Sequence, residues 1–382
     1  MRIASIEARV VGNPWKNWVL VKVVTDDGVV GWGDATTPMT YKPVLGVIEE
    51  AAQLCIGKDP RQIERLWESL FTTFYLPDDG TLLSAMAGIE TACWDILGKT
   101  LNAPLHQLLG GQVHQRIRAY ANGWYNGPRD AGAFADKAAE VVELGYGALK
   151  FDPFGSAFRI LDPEERAKSL LIVRTVRDRV GDRIDLMIEV HDRLTAPEAI
   201  LICRELEEFR PLWVEAPVWS IDTATLQAVA AATTLRIVAG ERLTNLGDFA
   251  DLLATRRIDI VQPEYVELGG IHRLRQVAAL AEAYQGMIAP HNARCPISTA
   301  VNVQVDAATR NVFIQETFDD FHVKWAKDLF EGIPRVVDGF LEVPGGAGIG
   351  VTVNEEFIAR HPPGERNYMN LFRSGWEQRF AN

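Results

Sequence analysis

The sequence predicts an α/β protein in which a parallel (β/α) barrel is joined to a smaller α+β domain. Three observations predict it. Short apolar runs that lead into an acid or a histidine recur between residues 184 and 316, at intervals of 23 to 27 residues. An amphipathic helical segment fills each interval, which is the strand-helix rhythm of a parallel barrel. Ahead of this region, residues 1–34 alternate like antiparallel strands, and residues 42–101 have a helical periodicity.

Length, charge and cysteine spacing narrow the class of protein. A chain of 382 residues is long for one domain, so we expect two. A formal net charge of −12 without a basic run argues against nucleic acid or an anionic membrane as partner. The apolar stretches are too short to cross a bilayer and the first residues lack a signal-peptide core, so we expect a cytoplasmic protein. The scattered cysteines favour reduced, buried thiols.

The first domain is predicted to combine a small antiparallel sheet with helices. Its strands are expected at 2–11, 18–25 and 29–34, and its helices at 44–56, 62–74 and 82–99. Asp26-Asp27-Gly28 between two apolar runs is a hairpin signal. We place this domain at residues 1–112, the barrel at 113–328 and a C-terminal segment at 329–382, in which strands and turns are expected at 341–343 and 345–351. The C-terminal segment lacks the strand-helix rhythm and is rich in glycine, so we expect it to pack back on the first domain.

The barrel strands end in titratable residues. Two strands are predicted at 117–121 and 148–151, and six more lead into Glu189, Glu215, Glu241, Glu264, His291 and Glu316. Active sites of such barrels lie at the C-terminal ends of the strands. Because strand side chains alternate, Glu189 and His191 are predicted to point to the same face.

Three of these acids suit a metal ion. Glu189, Glu215 and Glu241 end consecutive strands, which lie about 4.8 Å apart in a sheet, so their carboxylates can converge on one cation. Without a cation, three crowded carboxylates would repel one another and take up protons. Ligation by oxygen alone indicates Mg²⁺, with Mn²⁺ as an alternative and Zn²⁺ disfavoured.

The motifs in this order resemble a known family over essentially the whole chain. They are residues 84–95 and 105–111, residues 148–153, Glu189-Val190-His191, Trp213-Val214-Glu215, Ala239-Gly240-Glu241, Gln262-Pro263-Glu264 with Gly269-Gly270-Ile271, Pro290-His291, and Ile314-Gln315-Glu316-Thr317. The chain resembles members of the enolase superfamily of the mandelate racemase type. Within that type it is most similar to the acid-sugar dehydratases related to galactonate dehydratase.

The resemblance implies a modified TIM barrel, (β/α)7β, covered by an α+β capping domain. It implies Mg²⁺ held by Glu189, Glu215 and Glu241, where the metal binds a substrate carboxylate and stabilises the enediolate formed next to it. It also implies that His291 is the base that removes the α proton, with Glu264 as its acidic partner. An imidazole has a suitable pKa for a base near neutrality, and an acid on its far nitrogen fixes the tautomer and raises its basicity.

The same resemblance concerns four further candidate catalytic residues. His191 would protonate the departing 3-hydroxyl, and Glu316 would hydrogen-bond the enediolate. Lys150 and Asp152 end the second strand, where racemases of this group carry a second lysine as base. Asp152 in place of that lysine favours dehydration over racemisation. It remains open whether Asp152 acts as a base, contacts a ligand or substrate, or pairs with Lys150.

Two departures from the family pattern concern side-chain length. The residues at the positions of Glu189 and Glu264 are commonly Asp in the family, so each site here carries one more methylene. Substrate contacts are expected from loops at 13–18, 38–43 and 75–80. The candidates are Trp15, Trp18, Tyr41, Trp124 and Asn126, with packing at the domain interface as the alternative for each.

The leading hypothesis is a Mg²⁺-dependent dehydratase of a sugar acid, an aldonate such as galactonate or gluconate, that gives a 2-keto-3-deoxy acid. One alternative is a racemase or epimerase of a 2-hydroxy acid on the same scaffold. Another is a non-catalytic barrel that only binds a carboxylate. We expect a small-molecule substrate and, from the resemblance, a homo-oligomer.

Overall fold

The computed structural model describes residues 1–37, 40–75, 78–364 and 370–378. Its N-terminal part is an antiparallel sheet packed against helices, in the order β1 (Ile3–Val11), β2 (Trp18–Thr25), β3 (Val30–Asp34), α1 (Lys42–Cys55), α2 (Ile63–Phe74), α3 (Gly80–Leu101) and α4 (Leu105–Leu108). The predicted strands and helices of this part are confirmed to within two residues at each end. Helix α3 lies close on the sheet because Gly88 has no side chain; a Cβ there would lie 2.5 Å from a methyl carbon of Val21.

The barrel consists of eight short strands, β4 (Arg116–Ala121), β5 (Ala148–Phe151), β6 (Asp185–Glu189), β7 (Trp213–Glu215), β8 (Ile237–Val238), β9 (Ile260–Val261), β10 (Met287–Ile288) and β11 (Gln315–Thr317). Between them lie the helices α5 (Ala131–Glu143), α6 (Pro163–Val180), α7 (Ala196–Leu206), α8 (Thr223–Ala231), α9 (Leu246–Ala254), α10 (Tyr265–Leu268), α11 (Ile271–Ala283) and α12 (Pro296–Ala307). This alternation confirms the predicted (β/α)7β architecture.

The strands form a ring. Strands β4 to β8 pair in parallel in sequence order, β9 pairs with β10, and β11 pairs with β4. Single bridges, Ala239 to Val261 and Ile288 to Val312, join the two remaining seams. The interior is filled by one buried hydrophobic side chain from each strand or its flank: Tyr120, Ala148, Met187, Trp213, Val238, Ile260, Ala289 and Ile314. A filled interior confines any ligand to the ends of the strands.

The C-terminal segment contains α13 (Ala326–Leu329), β12 (Phe330–Glu331), β13 (Val336–Val337), β14 (Phe340–Glu342), β15 (Thr352–Val353) and α14 (Glu355–Ile358). Strands and turns are predicted at 341–343 and 345–351. The structure has strand β14 over most of the first range and a glycine-rich turn over most of the second, and β15 begins at Thr352. Strand β14 pairs antiparallel with β4 of the barrel. Glu355 forms an ion pair with Lys22 of β2, so the segment also contacts the N-terminal sheet. The proposed domain boundaries stay a prediction.

Of the helices in the described residues, none is long and apolar enough to span a membrane.

Candidate active site

A cavity of about 310 Å³ lies at the C-terminal ends of the barrel strands. It is lined by Trp15, Lys16, Asn122, Tyr125, Lys150, Glu189, His191, Ile221, Glu241, Arg242, Glu267, His291, Ala293, Arg294, Phe318, Leu371 and Trp376. These residues come from the strand ends, from the loop before β2 and from the C-terminal segment. The cavity is therefore enclosed by three separate parts of the chain.

The structure brings the nine predicted metal-binding and catalytic residues together at one end of the barrel. Five of them line the cavity: Lys150, Glu189, His191, Glu241 and His291. The other four, Asp152, Glu215, Glu264 and Glu316, are buried acids behind the cavity wall.

The backbone turns sharply where the strands end, and this aims the side chains. Strand β6 ends at Glu189, and His191 and Asp192 have positive φ angles of 51° and 59°. Ala216, directly after Glu215, has a φ of 41°. Residues other than glycine rarely adopt this left-handed region, and such strain is concentrated at functional sites. Glu189 and His191 share the cavity, as predicted, but through this turn rather than through strand alternation.

The carboxylates of β6, β7 and β11 meet around one lysine. The Lys150 ammonium lies 3.1 Å from Glu189 Oε2 and 3.0 Å from Glu316 Oε1, and it also forms a close ion pair with Glu215. Burial and the neighbouring charge of Glu189 raise the pKa of Glu215 well above its ordinary value. One ammonium therefore does not fully offset the negative charge collected here.

The donor set fits a divalent cation. Among the described residues, no group of three or more His, Cys, Asp or Glu side chains is arranged to hold a metal ion as it stands. The acids are paired with cationic side chains instead, Glu189 and Glu215 with Lys150, and Glu241 with His291 at 3.0 Å. Buried carboxylates on adjacent strands that recruit positive charge in this way supply the oxygen ligands that Mg²⁺ prefers.

His291 is held by two acids. Its Nδ1 lies 2.9 Å from Glu264 Oε2, and its Nε2 lies 3.0 Å from Glu241 Oε2. Burial lowers the pKa of His291, but the charges of Glu241 and Glu316 outweigh burial and raise it well above the usual range. A cation bound by Glu241 would neutralise part of that charge, which a base at this position requires. The longer Glu264 side chain still reaches the imidazole, so the departure from Asp preserves the pair.

Arg294 fixes the acid behind this imidazole. Its Nε donates to Glu264 Oε2 over 3.1 Å, and its Nη1 donates to the Thr36 carbonyl oxygen over 2.7 Å. Its third nitrogen pairs with Glu267. Burial raises the pKa of Glu264, but the opposing effect of Arg294 and His291 is larger and brings the pKa below its ordinary value. This carboxyl group is therefore held in its charged form.

His191 has a similar support on the other side of the barrel. Its Nδ1 lies 2.6 Å from Asp152 Oδ2, and Asp152 also forms an ion pair with the fully buried Arg193. Asp152 is therefore part of an ion pair, but the alternative that it pairs with Lys150 is wrong. The reason is that β5 ends at Phe151, after which the Asp152 side chain turns towards Arg193 and away from the carboxylate cluster.

Glu316 is enclosed by donors. Asn122 Nδ2 donates to its Oε1 and the Asn292 backbone N–H donates to its Oε2, both over 2.7 Å. Burial raises the pKa of Glu316, but Lys150 and His291 lower it below the ordinary value. Glu316 is thus a charged acceptor in this arrangement, behind the cavity wall.

Of the five predicted substrate-binding residues, Trp15 lines the cavity and the other four do not. Trp15 lines the cavity and stacks on Phe318, with ring centroids 4.9 Å apart. Trp18 is fully buried against Trp325 and Phe330 and does not line the cavity. Three more also lie outside its lining. Tyr41 is partly buried and packs against the core of the N-terminal part, Trp124 packs against Phe134 and Phe151, and Asn126 accepts a hydrogen bond from Lys137.

The described residues of the loops predicted at 38–43 and 75–80 do not line the cavity. Residues 38–39 and 76–77 lie outside the described residues. The loop at 13–18 does reach the cavity, through Trp15 and Lys16. Lys16 donates to the Ala293 carbonyl oxygen over 2.7 Å, and burial lowers its pKa to about 7.

Several cavity residues were missed by the sequence interpretation. Asn122 directly follows β4, and Arg242, Glu267 and Arg294 lie one to three residues after the predicted site residues Glu241, Glu264 and His291. Extending each strand-end motif by three residues would therefore have found them. Leu371 and Trp376 lie beyond the repeating part of the chain. Nothing in their sequence surroundings indicates a place at the barrel mouth.

The fold and the site define a (β/α)7β barrel protein with an N-terminal α+β domain and a cavity of acids and histidines at the strand ends. Comparisons with known proteins identify its family. A protein-family model described as "Enolase C-terminal domain-like" matches residues 133–357. A second family model, described as "Mandelate racemase / muconate lactonizing enzyme, N-terminal domain", matches residues 8–110. The chain belongs to the mandelate racemase and muconate lactonizing enzyme family of the enolase superfamily, as the sequence motifs indicated.

Similar proteins include dehydratases. The chain is 38% identical over 349 residues to a D-gluconate dehydratase of Thermoproteus tenax, covering 91% of this chain and 70% of that protein. It is 35% identical over 360 residues to a D-galactonate dehydratase of Xanthomonas euvesicatoria pv. vesicatoria, covering 92% and 93%. A solved structure of a putative mandelate racemase/muconate lactonizing enzyme from Burkholderia SAR-1 matches with a TM-score of 0.90 at 31% identity, covering 96% of both chains.

Proposed function

We propose that this protein is a Mg²⁺-dependent dehydratase of a sugar acid, an aldonate such as gluconate or galactonate, and that it forms a 2-keto-3-deoxy acid. The observation that carries the proposal is a pair of histidines, His191 and His291, each held through Nδ1 by a buried carboxylate and each lining one cavity. The names of the similar proteins, D-gluconate and D-galactonate dehydratase, support the substrate class.

The two histidines approach the cavity from opposite walls. His191 follows β6 and His291 follows β10, the third and seventh of the eight barrel strands, so they lie half a ring apart. A reaction that takes a proton from one carbon and delivers a proton to a group on the next carbon needs two such residues. Because Nδ1 of each imidazole faces a carboxylate, Nε2 is the nitrogen that exchanges protons with the substrate.

Glu189, Glu215 and Glu241 would hold the metal ion. When bound, Mg²⁺ supplies the positive charge that stabilises the negative charge developing on the substrate carboxylate as the α proton leaves. The Lys150 ammonium lies beside Glu189 and Glu215 and adds a fixed positive charge.

The chain's own residues then carry the protons. His291 accepts the α proton at Nε2 while Glu264, itself fixed by Arg294, stabilises the imidazolium. His191 donates a proton from Nε2 to the 3-hydroxyl, which departs as water and leaves an enol. The enol becomes the 2-keto-3-deoxy acid by taking a proton at C3. Asp152 holds His191 in the orientation that this donation needs.

A substrate screen with metal control tests the proposal. With Mg²⁺ present, gluconate or galactonate is expected to give a keto acid that semicarbazide detects, and removal of the metal with a chelator is expected to abolish its formation until Mg²⁺ is restored. A barrel that only binds carboxylates would form no keto acid from any aldonic or aldaric acid in the screen.

Glu215→Gln tests the metal ligands separately. Lys150 donates to one oxygen of Glu215, and Trp213 and Gln262 donate to the other. The change removes the ligand charge but keeps the shape of the side chain and one of these two acceptor oxygens, so the protein is expected to stay folded. We expect turnover to fall on the order of 10²-fold or more, with weaker Mg²⁺ binding in titration calorimetry. Glu208→Gln, which alters an exposed acid on the outside of the barrel, is the matched control. Unchanged Mg²⁺ affinity in Glu215→Gln would refute its role as ligand.

A further inference from the structure

We propose that residues 370–378 of the C-terminal segment form a specificity-determining wall of the active site, in which Trp376 and Leu371 contact the carbon chain of the sugar acid beyond its 3-hydroxyl. This inference rests on the proposed function. It concerns a part of the chain that lies after the barrel and after the last strand of the C-terminal segment.

The segment reaches the cavity at the histidine that serves the leaving group. Trp376 and Leu371 both line the cavity and are only 7% and 6% exposed. The Trp376 ring meets the His191 ring edge-on, with centroids 6.0 Å apart and an interplanar angle of 88°. The indole therefore lies directly beside the group assigned to C3 of the substrate.

The segment is anchored on the loops that follow β4 and β5. Trp376 Nε1 donates to the Gly155 carbonyl oxygen over 2.9 Å, and the Gly127 N–H donates to the Glu377 carbonyl oxygen over 2.8 Å. Phe372 packs on Phe158, with ring centroids 5.0 Å apart. Contacts with two barrel loops hold the indole in one position, as a rigid specificity wall requires.

The Gly155 carbonyl oxygen, which accepts from Trp376, also takes part in the contacts that orient His191. The Gly155 carbonyl oxygen also accepts from Arg193, and Arg193 holds Asp152, which in turn holds the His191 imidazole. The C-terminal segment thus shares the Gly155 carbonyl oxygen with the residues that orient His191. It belongs structurally to the active site and not only to the outside of the barrel.

The position of the wall determines which part of a substrate it touches. A substrate whose carboxylate binds the cation that Glu189, Glu215 and Glu241 would hold presents its 3-hydroxyl to His191, so the chain beyond C3 passes the neighbouring indole. Binding pockets for small molecules use apolar and aromatic side chains for contact area and a few polar groups for orientation. Six-carbon acids extend beyond C3 by three carbons, whereas a four-carbon acid extends by only one.

The test compares acids of different length in variants of the wall. For Trp376→Ala we expect KM for gluconate or galactonate to rise about tenfold or more, with kcat changed much less, and KM for a four-carbon aldonate to change little. Trp376→Phe is expected to give an intermediate shift. Arg373→Ala, which removes an exposed side chain of the same segment that neither lines the cavity nor anchors the wall, is the matched control and is expected to leave the ratio of the two KM values unchanged.

Other outcomes overturn the inference. An equal loss for six-carbon and four-carbon acids, or a fall in kcat without a change in KM, would show that the segment only supports the fold or His191. If Trp376→Ala does not fold, Leu371→Ala and Trp376→Phe decide, and both must shift the KM ratio in the same direction. If the wild-type protein converts no sugar acid, the proposed function fails. Calorimetric binding of the same acids with Mg²⁺ then tests the wall independently, through the same length dependence of affinity.

Discussion

Replacing His291 with Asn is expected to abolish both keto-acid formation and exchange of the α proton with solvent. The imidazole is the group assigned to remove that proton, and an amide at this position has no basic nitrogen. General-base catalysis contributes on the order of 10²–10⁴-fold, so the loss in kcat/KM should reach at least that range. The measurement is the rate of product formation together with the deuterium content of recovered substrate in heavy water.

Two further variants sharpen this result. Glu264→Gln keeps a hydrogen-bond acceptor 2.9 Å from Nδ1 but removes the charge, so both rates should fall less than in His291→Asn. His272→Asn changes a half-exposed histidine on α11 that does not line the cavity, and this variant should behave like wild type. A His291→Asn protein that still exchanged the α proton at the wild-type rate would refute the assignment of the base.

Replacing His191 with Asn is expected to separate the two halves of the reaction. Hydroxide is a poor leaving group, so the 3-hydroxyl must be protonated as it departs. Without His191, product formation should fall by on the order of 10²-fold or more, while His291 still removes and returns the α proton. The recovered substrate should then carry deuterium at C2 with its configuration retained.

The configuration of that substrate distinguishes the alternatives. Inversion at C2 would mean that a second group delivers protons to the opposite face, and the protein would be an epimerase. If neither exchange nor product survived in a folded His191→Asn protein, His191 would instead shape the metal site or bind substrate.

The barrel and its central acids could be predicted because they depend on a repeat. Each strand of a parallel barrel must be apolar and must be followed by a helix, so the residue that ends the strand is marked by its position alone. Glu189, Glu215 and Glu241 were found in this way, and the structure brings Lys150 to Glu189 and Glu215.

Contacts that depend on the backbone after the strands could not be predicted in the same way. The pairing of Asp152 with Arg193 depends on the turn after β5 and on the left-handed residues after Glu189, which strand alternation does not describe. Trp15 and Trp18 are three residues apart, yet only Trp15 reaches the cavity, because Trp18 begins β2 and points into the core. Composition does not distinguish these two tryptophans.

The C-terminal wall illustrates a second limit. Trp376 is distant in sequence from every strand-end motif and reaches His191 only through tertiary packing on Gly155. Local patterns carry no information about such a contact, since it depends on where the chain returns after the barrel is complete.

One experiment tests the central claim of dehydration most directly. The wild-type protein is incubated with Mg²⁺ and gluconate or galactonate in heavy water, and products and recovered substrate are analysed by NMR. The account predicts a 2-keto-3-deoxy acid with solvent deuterium at C3, formed only when Mg²⁺ is present. Recovered substrate with deuterium at C2 and inverted configuration, without any keto acid, would contradict it.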